Sequence, residues 1–178
     1  MVVTDEELIL RLQRGDAHAL GPLYQRYRGV VNAVVQRQAG LLGKAEAEDV
    51  CHEVFLTLME IASRYRPGTS VRAWLCGIAA QKARRVRQRR WIREGLLGKF
   101  LRPTPPAWSE AQPVEQRVEV EKLLERLPAG LRDVVVLSLV EQLDAEDVAA
   151  ALDISINTVW TRLHRARERI RDLMAEPA

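Results

Sequence analysis

The chain has 178 residues, 47% of them hydrophobic and 5% aromatic, with a formal net charge of +3; this length suits one or two small globular cores, and a composition led by Leu, Val, Ala, Glu and Arg favours helices over strands. No apolar run reaches the length of a membrane span, the acidic opening MVVTDEELIL lacks the basic-then-apolar order of a secretion signal, and two cysteines, Cys51 and Cys76, suggest no disulfide scaffold. A reducing cytoplasm without membrane insertion is the expected setting.

Charge is unevenly spread. KARRVRQRRWIR, residues 82–93, holds seven basic residues and no acid, whereas KAEAEDVCHEVF, residues 44–55, is rich in acids. A single basic stripe is commonly a solvated helix face. A second basic helix at residues 162–171 in the same chain points to nucleic acid or another polyanion.

In chain order, Thr4 and Glu7 form a capping box for a first helix ending near Gly15. Asp16 caps a second, whose apolar residues Leu20, Leu23, Tyr24, Tyr27, Val30, Val31, Val34 and Val35 recur at helical spacing. Gly21 and Pro22 kink or delay its start, and Gly40 ends it. A third helix covers roughly residues 46–64, with Val50, Val54, Leu58 and Ile61 on one stripe, until Pro67 and Gly68 break it. A fourth starts near Ser70, buries Val71, Trp74, Leu75 and Ile78, and runs into the basic stretch. FLRPTPPAWSEAQPVE, residues 100–115, contains four prolines and supports no helix. A structureless stretch that long separates domains. The expectation is therefore an all-α chain of two small helical domains, residues 1–94 and 116–178, joined by a flexible Pro-rich linker at 95–115.

The second domain starts with a helix over residues 118–127, stopped by Pro128. Residues 131–142 form the next, apolar around most of its circumference (Leu131, Val134, Val135, Val136, Leu137, Leu139, Val140) and hence expected to be central and buried. DAEDVAAALDISINTVWTRL then reads as a helix-turn-helix. Ala149 is small where the two helices touch, while Val148, Leu152, Ile154, Val159 and Leu163 point inward. Asp153 occupies the turn position that wants positive φ, which Asp tolerates better than most residues, and Ser155 caps the second helix. Asn157, Trp160, Thr161, His164 and Arg165 then face outward. Arg reads guanine edges, Thr contacts either base type and an apolar ring meets a thymine methyl; Arg162, Arg167 and Arg169 suit phosphates. A plain helical hairpin with a solvated basic end is the competing reading.

Three stretches, AEDVCHEVF (47–55), SVRAWLCGIAAQKARRVRQRR (70–90) and LERLPAGLRDVVVLSLVEQLDAEDVAAALDISINTVWTRLHRARERIR (124–171), together resemble the bacterial RNA polymerase sigma factors of the small extracytoplasmic-function (ECF) group. RGDAHALGPLYQRY (14–27) resembles that group's opening. The order and spacing of these stretches across two domains carry the match. The resemblance implies a region 2-like domain (1–94) that binds core polymerase and the minus-ten element, a linker (95–115) threading the polymerase cleft, and a region 4-like helix-turn-helix domain (116–178) on the minus-thirty-five element. It implies promoter-specific initiation, including promoter recognition and melting, with no catalytic residue, cofactor or metal. Core RNA polymerase, promoter DNA and an anti-sigma factor are the implied partners, and the free chain is expected to be a monomer.

Carried over by position, Asp49, His52 and Glu53 are the core polymerase-binding residues; Asp49 and Glu53, four apart, share one helix face. The loop RYRPGTSVR (64–72) corresponds to the segment that captures a flipped minus-ten base. Arg66, Thr69, Ser70 and Arg72 from it, with Gln81, Arg84 and Arg85, form the minus-ten set. Asn157, Thr158, Trp160, Thr161, Arg162, His164, Arg165 and Arg167 form the minus-thirty-five set. Trp160 stands where the family more often has Lys or Arg. A metal site at Glu46, Glu48, Asp49, His52 and Glu53 is the rival reading of the acidic patch, and redox or zinc sensing that of the cysteines. A stand-alone helix-turn-helix regulator is the alternative function; it would need a sensor or dimerisation domain in place of the acidic patch.

Overall fold

A computed structural model describes residues 3–39, 42–97, 120 and 122–175, and all secondary structure among them is helical. The Thr4 hydroxyl accepts the Glu7 amide at 3.3 Å and opens α1 (Asp5–Gln13), whose first turn carries Asp5, Glu6 and Glu7 against the positive end of the helix dipole. Asp16 does cap, accepting from the His18 amide at 3.0 Å, but what it caps is a short 3₁₀ turn, Ala17–Ala19. Helix α2 (Leu20–Ala39) starts after that turn. Pro22 falls in its first turn, where the missing N–H has no helical acceptor to lose. The stop expected at Gly40 lies outside the described residues.

Helix α3 (Lys44–Ile61) gives way to a 3₁₀ turn, Ala62–Arg64. Helix α4 (Val71–Leu97) follows Ser70, whose hydroxyl accepts the Ala73 amide at 3.2 Å. It continues through Gly95, past the boundary expected at residue 94. Helices α2, α3 and α4 pack as a bundle, with α1 against α2 and the 62–64 turn. Leu23, Val31, Val34, Val35, Val54, Leu58 and Leu75 are fully enclosed there, each contributing about 1.5–3 kcal/mol by burial.

Residues 122–126 are helical and lead to Pro128. The start of the helix expected at 118–127, and residues 98–115 of the linker expected at 95–115, lie outside the described residues. The single helix expected at 131–142 is divided. Helix α5 (Ala129–Val135) passes into a π-helical segment, Val136–Val140, closed by the Glu141 amide on the Val136 carbonyl at 2.9 Å. The wider π turn changes the direction in which its later side chains point. Val134, Val135, Val136 and Leu137 are buried as expected, but Leu139 is 53% exposed, which corrects the expectation of a core role for it. Helices α6 (Ala145–Leu152) and α7 (Ile156–Ala175) complete the chain.

The second block does not stand apart from the first. Helix α6 packs on α4, the π segment packs on α2, and the buried apolar residues of both blocks form one continuous core. Gly77 of α4 makes this approach possible: a Cβ there would run into the backbone carbonyl of Ala151 on α6.

Candidate nucleic-acid interface

The α6–α7 corner has the geometry of a DNA-reading element. Asp144 caps α6 by accepting the Asp147 amide at 2.7 Å. Asp153 sits at φ 53°, ψ 50°, the left-handed conformation the turn requires, and the Ile154 amide closes it on the Ala149 carbonyl at 3.0 Å. The Ser155 hydroxyl accepts the Thr158 amide at 3.1 Å. Val148, Ala149, Val159 and Leu163 are buried, while Leu152 and Ile154 pack on the core from partly covered positions.

This clamps the face of α7. Asn157, Trp160, Thr161, His164, Arg165 and Arg167 are exposed, Trp160 by 57% of its surface. Two expected contacts are less free. Thr158 is half-buried, its hydroxyl 2.8 Å from the Ser155 hydroxyl, so it serves the cap. Arg162 is half-buried beside Gly130 and Arg84. The Thr161 hydroxyl donates to the Asn157 carbonyl at 2.8 Å, which leaves its methyl as the group to offer a base. His164 lies 3.4 Å from Glu168.

On the first block, Asp49, His52 and Glu53 are all exposed on α3. His52 Nε2 lies 3.1 Å from the Tyr24 hydroxyl with the rings stacked at 5.8 Å, and Tyr24 also meets Phe55 edge-on at 4.9 Å. Lys82 lies 3.5 Å from Glu53. Leu56 and Met59 are exposed on the same helix, so the face is acidic with an apolar component. Among the described residues, no three His, Cys, Asp or Glu side chains are grouped as a metal-ligand set.

The loop after α3 is held in shape from outside. Gly68 has φ 83°, and its amide donates to Glu6 Oε1 of α1 at 2.8 Å. The Tyr65 hydroxyl reaches the Thr69 carbonyl and Glu6, and its ring meets Trp74 at 5.4 Å. Arg66 is exposed and Thr69, Ser70 and Arg72 are half-covered; Gln81, Arg84 and Arg85 lie exposed along α4.

Residues 23–92 match the family described as Sigma-70 region 2, and residues 117–170 match Sigma-70, region 4. The ECF RNA polymerase sigma factor SigD of Mycobacterium tuberculosis is 33% identical over 173 residues, which is 89% of this chain and 78% of that protein. This chain belongs to the ECF family of RNA polymerase sigma factors. The ECF RNA polymerase sigma-E factor of Escherichia coli is 28% identical over 184 residues, 94% of this chain and 93% of that one. Of solved structures, CnrH in complex with the cytosolic domain of CnrY superposes with a TM-score of 0.69 at 25% identity, covering 98% of this chain and 99% of CnrH. RpoE of Bartonella quintana, solved with the anti-sigma factor NepR, gives 0.66 at 20% identity over 89% and 98%.

The sigma factor also has a charged seam that sequence reasoning missed. Arg37 Nη1 donates to Glu141 Oε1 at 2.7 Å, and Arg72 Nη2 lies 3.6 Å from Glu141 Oε2 while donating to the Glu141 carbonyl at 2.8 Å. Arg84 pairs with Asp133. Arg132, wholly enclosed, donates to the carbonyls of Leu124, Leu127 (3.2 Å) and Gln38 (3.5 Å). Burial pulls its guanidinium down to about 10, so it stays charged at neutral pH. Burial also raises the Glu141 carboxyl, against the pull of Arg37 and Arg72. The signal was present in LRDVVVL, where an Arg-Asp pair interrupts the most apolar stretch of the chain. Cys51 and Cys76 are buried free thiols, and burial pushes Cys51 up to about 11 and Cys76 to about 12, away from the thiolate form. Among the described residues, no helix is long and apolar enough to cross a membrane.

Proposed function

We propose that this sigma factor joins core RNA polymerase through the α3 face of Asp49, His52 and Glu53. It presents Arg66, Thr69, Ser70, Arg72, Gln81, Arg84 and Arg85 to the minus-ten element and the outward face of α7 to the minus-thirty-five element. Initiation factor is the activity that the family membership gives; which residues touch what is the proposal, together with the absence of any catalysis of its own and a cytoplasmic location. The observation that carries it is the face of α7. Its exposed Trp160, Thr161, His164 and Arg165 sit on a helix fixed by a left-handed turn and a serine cap, the arrangement a major-groove reader needs. The pinned 65–70 loop supports a base-capturing role, because a rigid polar pocket offsets the few kcal/mol, roughly, of unstacking a base. CnrH, similar over nearly the whole chain, was solved with a bound protein domain. That supports a protein partner here, which the family resemblance makes an anti-sigma factor of an otherwise monomeric chain.

In vitro transcription with core polymerase on a genomic fragment library, followed by start-site mapping, tests the reading. Asp49→Lys with Glu53→Lys should abolish co-purification with core polymerase while leaving helicity and unfolding midpoint near wild type, since exposed charges contribute within about 0.5 kcal/mol. Undiminished co-purification would reject this face. Tight, sequence-specific duplex binding by the free chain would favour a stand-alone regulator instead.

A further inference from the structure

We propose that Glu6 of α1 is a positioning residue for promoter melting: its carboxylate fixes the sense of the Pro67–Gly68 peptide at the tip of the 64–72 loop, and so decides which backbone group that loop offers to a flipped base. This rests on the base-capturing role proposed above for the loop.

The tip is a four-residue turn. The Thr69 amide closes it on the Arg66 carbonyl at 3.1 Å, with Pro67 and Gly68 at its centre and Gly68 at φ 83°. That is the pattern of a type II turn, whose second central residue lies near about +80°. A type I turn closes the same bond with the central peptide turned over, so the closing bond alone does not choose between them. Glu6 chooses. Its Oε1 accepts the Gly68 amide at 2.8 Å, from 62 residues away in the chain. The peptide is trans, and a trans peptide directs its N–H and C=O in opposite directions. With the amide held on Glu6, the Pro67 carbonyl is directed away from α1. Turned over, the same peptide would present a donor where it now presents an acceptor.

The helix that carries Glu6 is itself braced. Asp5 pairs with Arg26 and meets the Tyr27 hydroxyl of α2, and Gln13 Nε2 donates to the Ala62 carbonyl at 2.9 Å. Leu8, Ile9 and Leu12 are buried beneath it. The Tyr65 hydroxyl, on the Thr69 carbonyl, lies 3.3 Å from the same Glu6 oxygen. Glu6 therefore ties the turn to the bundle through a fixed strut. An exposed acid beside a phosphate-binding surface weakens attraction to the phosphates, so what Glu6 contributes is its acceptor and not its charge.

The test uses holoenzyme assembled from the full chain and core polymerase, on a promoter located by start-site mapping. Initial binding is read by filter retention in the cold, and melting by the permanganate reactivity of minus-ten thymines over time. Glu6→Ala removes the acceptor and the charge. Glu6→Gln removes the charge alone and keeps an amide oxygen for Gly68. Gly68→Ala leaves Glu6 intact but disfavours the positive φ. Glu6→Ala and Gly68→Ala should each slow melting about tenfold, the scale of one hydrogen bond to a charged group. The double variant should be no slower than the slower single, since both release one peptide. Glu6→Gln should melt at the wild-type rate, and both Glu6 variants should keep wild-type initial binding and urea midpoint.

Wild-type melting by Glu6→Ala would overturn the proposal. Equal losses in Glu6→Ala and Glu6→Gln would also overturn it, by showing that the charge acts. A midpoint or an initial binding that falls together with melting would reduce Glu6 to a part of the fold. Base capture is read separately, with single abasic sites along the non-template minus-ten strand. One site should slow wild type, and at that site Glu6→Ala should add nothing. Indifference of wild type to every abasic site would remove base capture, and the proposal with it. A wild-type effect at one site with an undiminished Glu6→Ala defect there would leave base capture standing and overturn the part given to Glu6.

Discussion

Arg165 and Arg167 lie two positions apart on α7, both exposed, and one helical step of about 100° each way puts them on different flanks of the groove-facing surface. Arg165 follows Thr161 by one helical turn, in the set proposed to read bases, while Arg167 lies nearer the end of the helix that leaves the groove. Arg165→Ala should therefore relax preference at one base position, by about 1–3 kcal/mol if the contact is bidentate. Arg167→Ala should weaken binding evenly across sequences, since phosphates carry no direct code. Start-site mapping with promoter libraries for both variants reads the difference, and equal effects on all promoters from both would place Arg165 on the backbone too. The outward set was legible because burial of Val159 and Leu163 fixes the rotation of the helix. Thr158 and Arg162 were harder to read: one is taken by its local cap and the other is turned toward Gly130 and Arg84, neighbours that helical periodicity does not reveal.

Among the elements, the helix-turn-helix depends on two backbone positions. Asp153 holds a left-handed conformation, and Ser155 supplies one acceptor to a helix start that would otherwise have four amides unsatisfied. Ser155→Ala should lower stability by about 1 kcal/mol, read from the urea midpoint, and Ser155→Asp should recover most of it because Asp caps equally well. A midpoint unmoved by Ser155→Ala would mean that the Thr158 hydroxyl or water replaces the cap. Both features were visible in the sequence, as capping and turn chemistry are local. The π segment at Val136–Val140 was not. Its residues are ordinary helix and core formers, and the wide turn that exposes Leu139 runs directly into Glu141, which sits in the seam against Arg37 of α2 and Arg72 of α4.

For the whole molecule, the decisive residue is Arg132. Its guanidinium joins α5 to carbonyls of its own block and to Gln38 at the end of α2. Truncating it leaves enclosed acceptors unpaired at about 1–3 kcal/mol each, so Arg132→Leu should lower stability by about 3 kcal/mol in urea unfolding of the full chain. A loss below about 0.5 kcal/mol, the range of an ordinary surface change, would show that water takes over those carbonyls.

Helix content, the two blocks, the capped corner and the faces of α3 and α7 come from periodicity, capping and charge, all of which act within a few residues of chain. The pairing of Arg37 and Arg72 with Glu141, of Arg84 with Asp133, and the contact of Gly77 with Ala151 join residues far apart in sequence. In the sequence Arg72 and Arg84 read as DNA contacts and Gly77 as a neutral position inside a helix. Only the packing of α6 onto α4 supplies their partners, because an ion pair or a backbone approach is set by where the whole chain brings two surfaces together.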